Sequence, residues 1–158
     1  IFSLNLEVAA IVDILIQADA KQLEERNLGE KAYECIKEAV LKNLNKFIHK
    51  PQLESFNVQN KQYQDNEIPK GEIIGKIEMD KKKMKQILIF KHELEKIFHE
   101  HHFSDVNTIL DTWRKRGVIE TDPDGKFTRK RVLYKGTSQR VVVINVDKEY
   151  DQYKPKTE

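Results

Sequence analysis

Ser104-Asp105-Val106-Asn107-Thr108-Ile109-Leu110-Asp111-Thr112-Trp113-Arg114-Lys115-Arg116-Gly117 is the stretch on which the fold turns. Val106, Ile109, Leu110 and Trp113 fall at i, i+3, i+4 and i+7, the stripe of an amphipathic helix with one buried face. Ser104 reads as its N-cap, because a hydroxyl there can accept from a free first-turn N–H. Gly117 follows the basic triplet Arg114-Lys115-Arg116, where a left-handed C-cap and C-terminal cations both favour a helix end. Upstream, Leu94, Ile97 and Phe98 give Lys91–Glu100 the same helical spacing, and His101-His102-Phe103 interrupts it. Downstream, Val118-Ile119-Glu120 opens a strand and Thr121-Asp122-Pro123-Asp124-Gly125 is a turn. Phe127 to Tyr134 then pairs with Gln139 to Val146 as a basic hairpin.

Helix, turn, helix, strand, hairpin is the order of a winged-helix domain, here spanning residues 91–146. The expected class is therefore α+β: an N-terminal helical hairpin, a small β-hairpin, and a C-terminal winged helix. Residues 72–79 and 86–90 supply the small hairpin, joined by Asp80-Lys81-Lys82-Lys83, within a linker region at 51–90 that holds a further short strand at 55–59. Residues 1–50 read as two antiparallel helices. The first, over 4–26, carries Leu4, Val8, Ile11, Val12, Leu15, Ile16 and Leu23. Asn27-Leu28-Gly29 breaks it, and the second, over 30–48, buries Ala32, Tyr33, Ile36, Val40, Leu44 and Phe47. Residues 147–158 are polar, contain Pro155, and read as a flexible tail. The chain starts at Ile1, already in helical register, which predicts a fragment of a longer protein or a processed product.

Hydrophobic residues make up 39% and charged residues 34% of 158, enough for one domain with a real core, or for a small domain plus a helical appendage. The formal charge of +2 decides nothing, but its distribution does. Residues 1–34 hold three cations against seven anions, whereas residues 114–140 hold nine cations against Glu120, Asp122 and Asp124, a net of +6. One end is thus suited to a polyanion and the other to protein or solvent. The single Cys35 excludes an internal disulfide, predicts a cytoplasmic setting, and sits in a helical pattern as a small core residue. No apolar run approaches the ~18 residues of a membrane span, so no membrane partner is expected.

Gly71-Glu72-Ile73-Ile74-Gly75-Lys76 fails as a phosphate loop: its spacing is one residue short, and no Ser or Thr follows Lys76. His92, His99, His101 and His102 lack the spacing of a zinc site, and nothing supplies a nucleophile or an oxyanion site. No catalytic residue, metal ligand or cofactor is assigned, and no enzymatic activity is expected. The basic hairpin is the functional signal. Alternation places Arg129 and Arg131 on one face with Phe127 and Leu133, and Thr128 and Lys130 on the other. Groups of this kind bind phosphates and can lie along a duplex backbone. The candidate nucleic-acid-binding residues are Asn107, Thr108 and Arg114 on the second helix, and Arg129, Lys130, Arg131, Lys135 and Arg140 on the hairpin. Asp111 opposes phosphate on that helix, and Trp113 reads as the core anchor between helix and hairpin. The competing reading is protein docking, since winged helices also serve as protein modules and a basic ribbon can be a solvated edge.

The run Ser104–Ile119, the Gly125–Arg131 segment and Gly136 through Ile144 together resemble the C-terminal segment of AAA+ helicase-like proteins of phages and mobile elements. These include the replicative helicases of staphylococcal cassette chromosomes, and residues 10–48 resemble what precedes that segment. The resemblance implies a winged-helix module that helps a hexameric motor engage DNA, with the Walker motifs upstream and absent from these residues. It implies two partners, DNA and the ATPase portion of the same protein. The alternative is a regulatory module docked on that ATPase core without touching DNA. A free-standing transcriptional repressor fits less well, because no dimerisation helix follows the hairpin.

Overall fold

The computed structural model describes residues 2–49, 71–81, 83–134 and 136–155. The strand expected at 55–59 lies outside the described residues, as does Lys135. Three α-helices and a curled mixed sheet form the expected α+β fold: α1 (Phe2–Lys42), α2 (Lys91–Glu100) and α3 (Val106–Arg116). The strands are β1 (Phe47–Ile48), β2 (Gly75–Asp80), β3 (Lys83–Ile89), β4 (Ile119–Glu120), β5 (Arg129–Tyr134) and β6 (Thr137–Asn145).

The expected N-terminal helical hairpin does not form. α1 passes through Asn27-Leu28-Gly29 without a break. Gly29 is a contact point here, and not a stop. A Cβ on it would meet the Tyr150 hydroxyl and, at 3.2 Å, Thr112 Cγ2. Trp113 Nε1 donates to the Gly29 carbonyl at 2.9 Å. Glycine in a helix interior costs about 1 kcal/mol relative to alanine, but its missing side chain lets α3 approach. Below this point α1 buries Ala32, Tyr33, Ile36 and Val40. Above it, every described side chain from Asn5 to Glu24 is exposed, so Val8, Ile11 and Leu15 do not fold back onto a second helix. The helix ends at Lys42, and a 3-10 turn at Leu44–Lys46 delivers Phe47 into β1 where helix was expected to continue to residue 48.

β6 is the spine of the sheet. Its first half pairs with β5, and its second half lies between β3 and β4, in the order β1-β2-β3-β6-β4. β2 and β3 form the anticipated hairpin, with Gly75 opposite Ile89 and Asp80 opposite Lys83. Side chains alternate across a strand, so β3 sends Ile87 and Ile89 to one face and Leu88 to the other. β6 does the same with Val142 and Ile144 against Val141 and Val143. The first face meets all three helices through Tyr33 and Ile36 of α1, Leu94 and Phe98 of α2, and Ile109, Leu110 and Trp113 of α3, while the second covers Ile48 and Leu133.

The expected flexible tail is instead packed as far as it is described. Tyr150 and Tyr153 are only 2% and 6% exposed and join the main core. Both rings pack on Tyr33, at centroid distances of 5.6 and 6.0 Å. A segment that is polar by composition is thus anchored by two aromatics three residues apart. The Tyr33 hydroxyl donates to the Lys148 carbonyl, and burial pushes its pKa up to about 12 from the usual 10.0. Burial raises Tyr150 and Tyr153 too. In the unfolded chain these phenols ionise near pH 10, so their contribution is complete below that value and is lost as pH rises toward 12. Urea midpoints should hold steady from pH 8 to 9.5 and fall between pH 10 and 12; a Tyr33→Phe variant should show a shallower fall. No described helix is long and apolar enough to cross a membrane.

Candidate nucleic-acid interface

α2 and α3 form a helix-turn-helix. Leu94, Ile97 and Phe98 of α2 and Val106, Ile109, Leu110 and Trp113 of α3 are all buried, as their spacing requires. His102 turns the chain with φ 66°, and Gly117 closes α3 in the left-handed region with φ 78°. The N-cap is Asp105, not Ser104. Its carboxylate accepts from the Thr108 amide at 3.1 Å and from the Thr108 hydroxyl at 2.6 Å. The Thr108 hydroxyl bond, then the amide bond, hold the Asp105 carboxyl below the usual carboxylate range. An ionised acceptor makes the stronger cap.

Asn107 stands exposed on α3, whereas Thr108 is tied into that cap. One turn on, Asp111 pairs with Arg114 and, at 3.0 Å, with Lys115. The Lys115 bond is the main reason its carboxyl also titrates low. Asp111 therefore neutralises two cations of its own helix. Arg114 also donates to the Gly125 carbonyl at 3.1 Å and lies 5.3 Å from the Phe127 ring centroid, which fastens α3 to the loop leading into β5.

The ribbon arginines are held by carboxylates of the preceding strand and turn. Glu120 Oε2 accepts from Arg129 at 3.1 Å and from Arg131 at 2.9 Å. Asp122 accepts from Arg129 Nε at 3.0 Å. Arg140 donates twice to Thr128, to its hydroxyl and its carbonyl, with Asp124 at 3.8 Å. Arg129 and Arg131 do share a face, as alternation demands, but the face is already occupied by anions. Lys130 points away, exposed and without a carboxylate partner among the described residues. Each arginine keeps about a third of its side chain open to solvent, and such half-exposed pairs contribute little stability. They orient the guanidinium planes and leave further N–H donors for an outside anion.

Behind these pairs lies a polar chain that sequence reasoning missed. Gln86 Nε2 donates to Glu120 Oε1 and to Asn145 Oδ1, both at 2.9 Å, and Asn145 Nδ2 donates to the Gly117 carbonyl at 3.2 Å. It couples the end of α3 to β3, β6, β4 and the base of the ribbon. A signal was present: Glu120, Asp122 and Asp124 share one parity, as do Arg129 and Arg131 on the strand that follows.

Residues 27–149 match the family model for the Cch helix-turn-helix domain. A solved structure described as the SCCmec type IV Cch active helicase is similar at 22% identity, with a TM-score of 0.48. That match covers 88% of this chain and 22% of the helicase chain, so these residues correspond to about a fifth of that protein's length. No curated protein gives a match. With well over half of its residues matched, the chain belongs to the Cch helix-turn-helix domain family.

Proposed function

We propose that this chain is the DNA-binding winged-helix region of a mobile-element helicase, working in the cytoplasm with the ATPase portion of the same protein. β5 and β6 are the wing, and α3 is the helix set against the duplex. The chain itself carries no ATPase activity in this reading. The observation that supports it most is the joining of a helix-turn-helix to a basic hairpin through Arg114, the 121–127 turn and the Gln86–Asn145 chain. Asn107 on α3 and Lys130 on the wing are the open contacts, and the half-exposed Arg114, Arg129, Arg131 and Arg140 supply oriented donors to phosphate oxygens. Affinity then comes mainly from counterion release and falls steeply with salt.

The test is fluorescence anisotropy of labelled single- and double-stranded DNA across roughly 50 to 200 mM salt. Alanine at Arg129, Lys130 and Arg131 should lower affinity and flatten the salt dependence while circular dichroism stays native. Glu120→Gln, which keeps hydrogen-bonding capacity but removes the charge that occupies two arginines, should strengthen binding at low salt. Unchanged binding by the alanine variant would remove the wing from the interface. A second reading is favoured by the exposed apolar residues Val8, Ile11, Ile14, Leu15 and Ile16 of α1, a face suited to docking protein. A folded chain showing no DNA binding at low salt would leave that reading standing alone.

A further inference from the structure

Cations without a carboxylate partner among the described residues are found away from the ribbon as well as on it. Lys81, Lys83 and Lys85, at the β2–β3 turn and along the start of β3, are exposed and have no carboxylate partner among the described residues. Lys83 and Lys85 flank Met84 on β3, and Lys85 is the unpaired residue of a bulge, since Met79 is opposite Met84 and Glu78 is opposite Gln86; both lysines line one cleft together with Lys81. Lys81 sits in the left-handed region with φ 57°, which turns the chain at this point.

Beneath these lysines is a cleft of about 840 Å³ between the hairpin and the C-terminal end of α1, with Lys37 on its far wall. Its floor is Leu41, Met84 and Val146. Two carboxylates border it. Asp147 accepts from the Tyr153 hydroxyl at 2.9 Å, and Asp80 is exposed opposite Lys83 in the hairpin register. The Lys37 ammonium is 3.3 Å from Glu34, so the three hairpin lysines are the free charge of the site.

We propose that the Lys81–Lys83–Lys85 face is a second phosphate-backbone contact for nucleic acid, separate from the helix-turn-helix and its ribbon. This rests on the DNA-binding reading above. Gln86 lies opposite Asn145 at the end of β6, while the ribbon tip at Gly136 precedes its start. Arg129, Lys130 and Arg131 pair with Val141, Arg140 and Gln139, so about five steps of the spine strand, roughly 16 Å, separate Arg140 from Asn145 at the lysine end. A backbone held at both sites neutralises more phosphates than the ribbon alone, whose arginines already face Glu120, Asp122 and Asp124. Lysine is depleted from protein–protein interfaces, whereas a hydrated point charge on a flexible stem suits phosphate oxygens that vary in position. The site offers no aromatic anchor of the kind that dominates protein hot spots.

The experiment compares the 158-residue chain with Lys81→Ala/Lys83→Ala/Lys85→Ala and with the corresponding triple arginine variant. Each is titrated with labelled duplex DNA from ~50 to ~200 mM salt, and separately with poly-glutamate. Three lost contacts should reduce the slope of log affinity against log salt by about 2.7. The wild-type affinity then falls roughly 40-fold further than the variant's over that range. The arginine variant should match the wild type. A triple alanine protein with wild-type affinity and slope overturns the proposal while leaving DNA binding through the ribbon intact. Loss of poly-glutamate binding with DNA binding retained assigns the face to an acidic protein, and also overturns it. A wild-type chain that binds no DNA at any salt overturns the underlying reading as well, and is distinguished by the absence of any signal to compare.

Discussion

Replacing Trp113 by alanine is expected to lower the unfolding free energy by about 3–5 kcal/mol, the range for truncating a buried large aromatic. Trp113 is fully buried and meets Phe98 of α2 at 5.7 Å and Tyr33 of α1 at 6.5 Å, both edge-on. Among the described residues it is the only side chain that touches both other helices through ring contacts and also hydrogen-bonds across to α1. Removing it empties the junction of α1, α2 and α3 and leaves the Gly29 carbonyl without its indole donor. A domain of this size has only ~5–15 kcal/mol of net stability, so the variant should unfold at a much lower urea concentration. Trp113 is the sole tryptophan, and circular dichroism rather than intrinsic fluorescence must follow the transition. Trp113→Phe keeps most of the packing and should cost about 1 kcal/mol for the lost hydrogen bond and reduced volume. A loss below about 1 kcal/mol for the alanine variant would show that the three helices are not tied together at this residue.

The helix-turn-helix was legible because its information is local. Four apolar residues at helical spacing and a glycine past the basic triplet define α3; the four are buried and Gly117 is in the left-handed region, while the cap falls one residue later than Ser104, at Asp105. The β2–β3 hairpin was legible for the same reason, through alternation and a lysine-rich turn. α1 was misread at Gly29 because a helix-breaking glycine and a packing glycine look alike until the partner is known. Here the partners are Tyr150, Thr112 and Trp113, 83 to 121 residues away in sequence. The tail was misread because two tyrosines among Lys, Glu, Asp and Gln do not raise the local hydrophobicity, although they fill the space beside Tyr33.

The candidate site shows the same division between what composition reveals and what geometry adds. The net charge of residues 114–140 was visible in the composition, and so was the clustering of arginines. Which of those charges remain free depends on pairing across strands. Glu120 serves two arginines only because β4 and β5 flank the same spine strand, each paired with β6. Summing charges along a segment overstates the ribbon and passes over Lys81 and Lys83 in the Asp80–Lys83 turn, and Lys85 just beyond it.

Gly75→Ala is the second substitution expected to have a large effect, about 3 kcal/mol, at the upper end of what overpacking costs. Gly75 is flanked by Phe47 of β1 on one side and Ile89 of β3 on the other. A Cβ there would land on the Leu88 carbonyl oxygen, with Phe47 Cε1 at 2.9 Å and the Ile89 Cα at 3.1 Å. Two of those three atoms are backbone, which cannot rotate aside as a flexible side chain would, so the strands must separate. Hydrogen exchange should therefore accelerate first in β1, β2 and β3, with α2 and α3 following only at global unfolding. Gly71 is the internal control, because a Cβ on it meets nothing within 4 Å and Gly71→Ala should change stability by no more than about 0.5 kcal/mol. The pair also separates two meanings of the Gly71–Lys76 segment. A phosphate-cradling loop needs both glycines for backbone approach to a ligand, and both substitutions would then impair nucleotide binding with little change in stability. Lys76 instead lies 3.1 Å from Glu78 with its side chain 16% exposed, a lysine committed to its own strand. Equal, small effects of the two substitutions on urea midpoints would contradict the close approach of β2 and β3 at Gly75; a large effect at Gly75 alone is what a tightly packed sheet position requires.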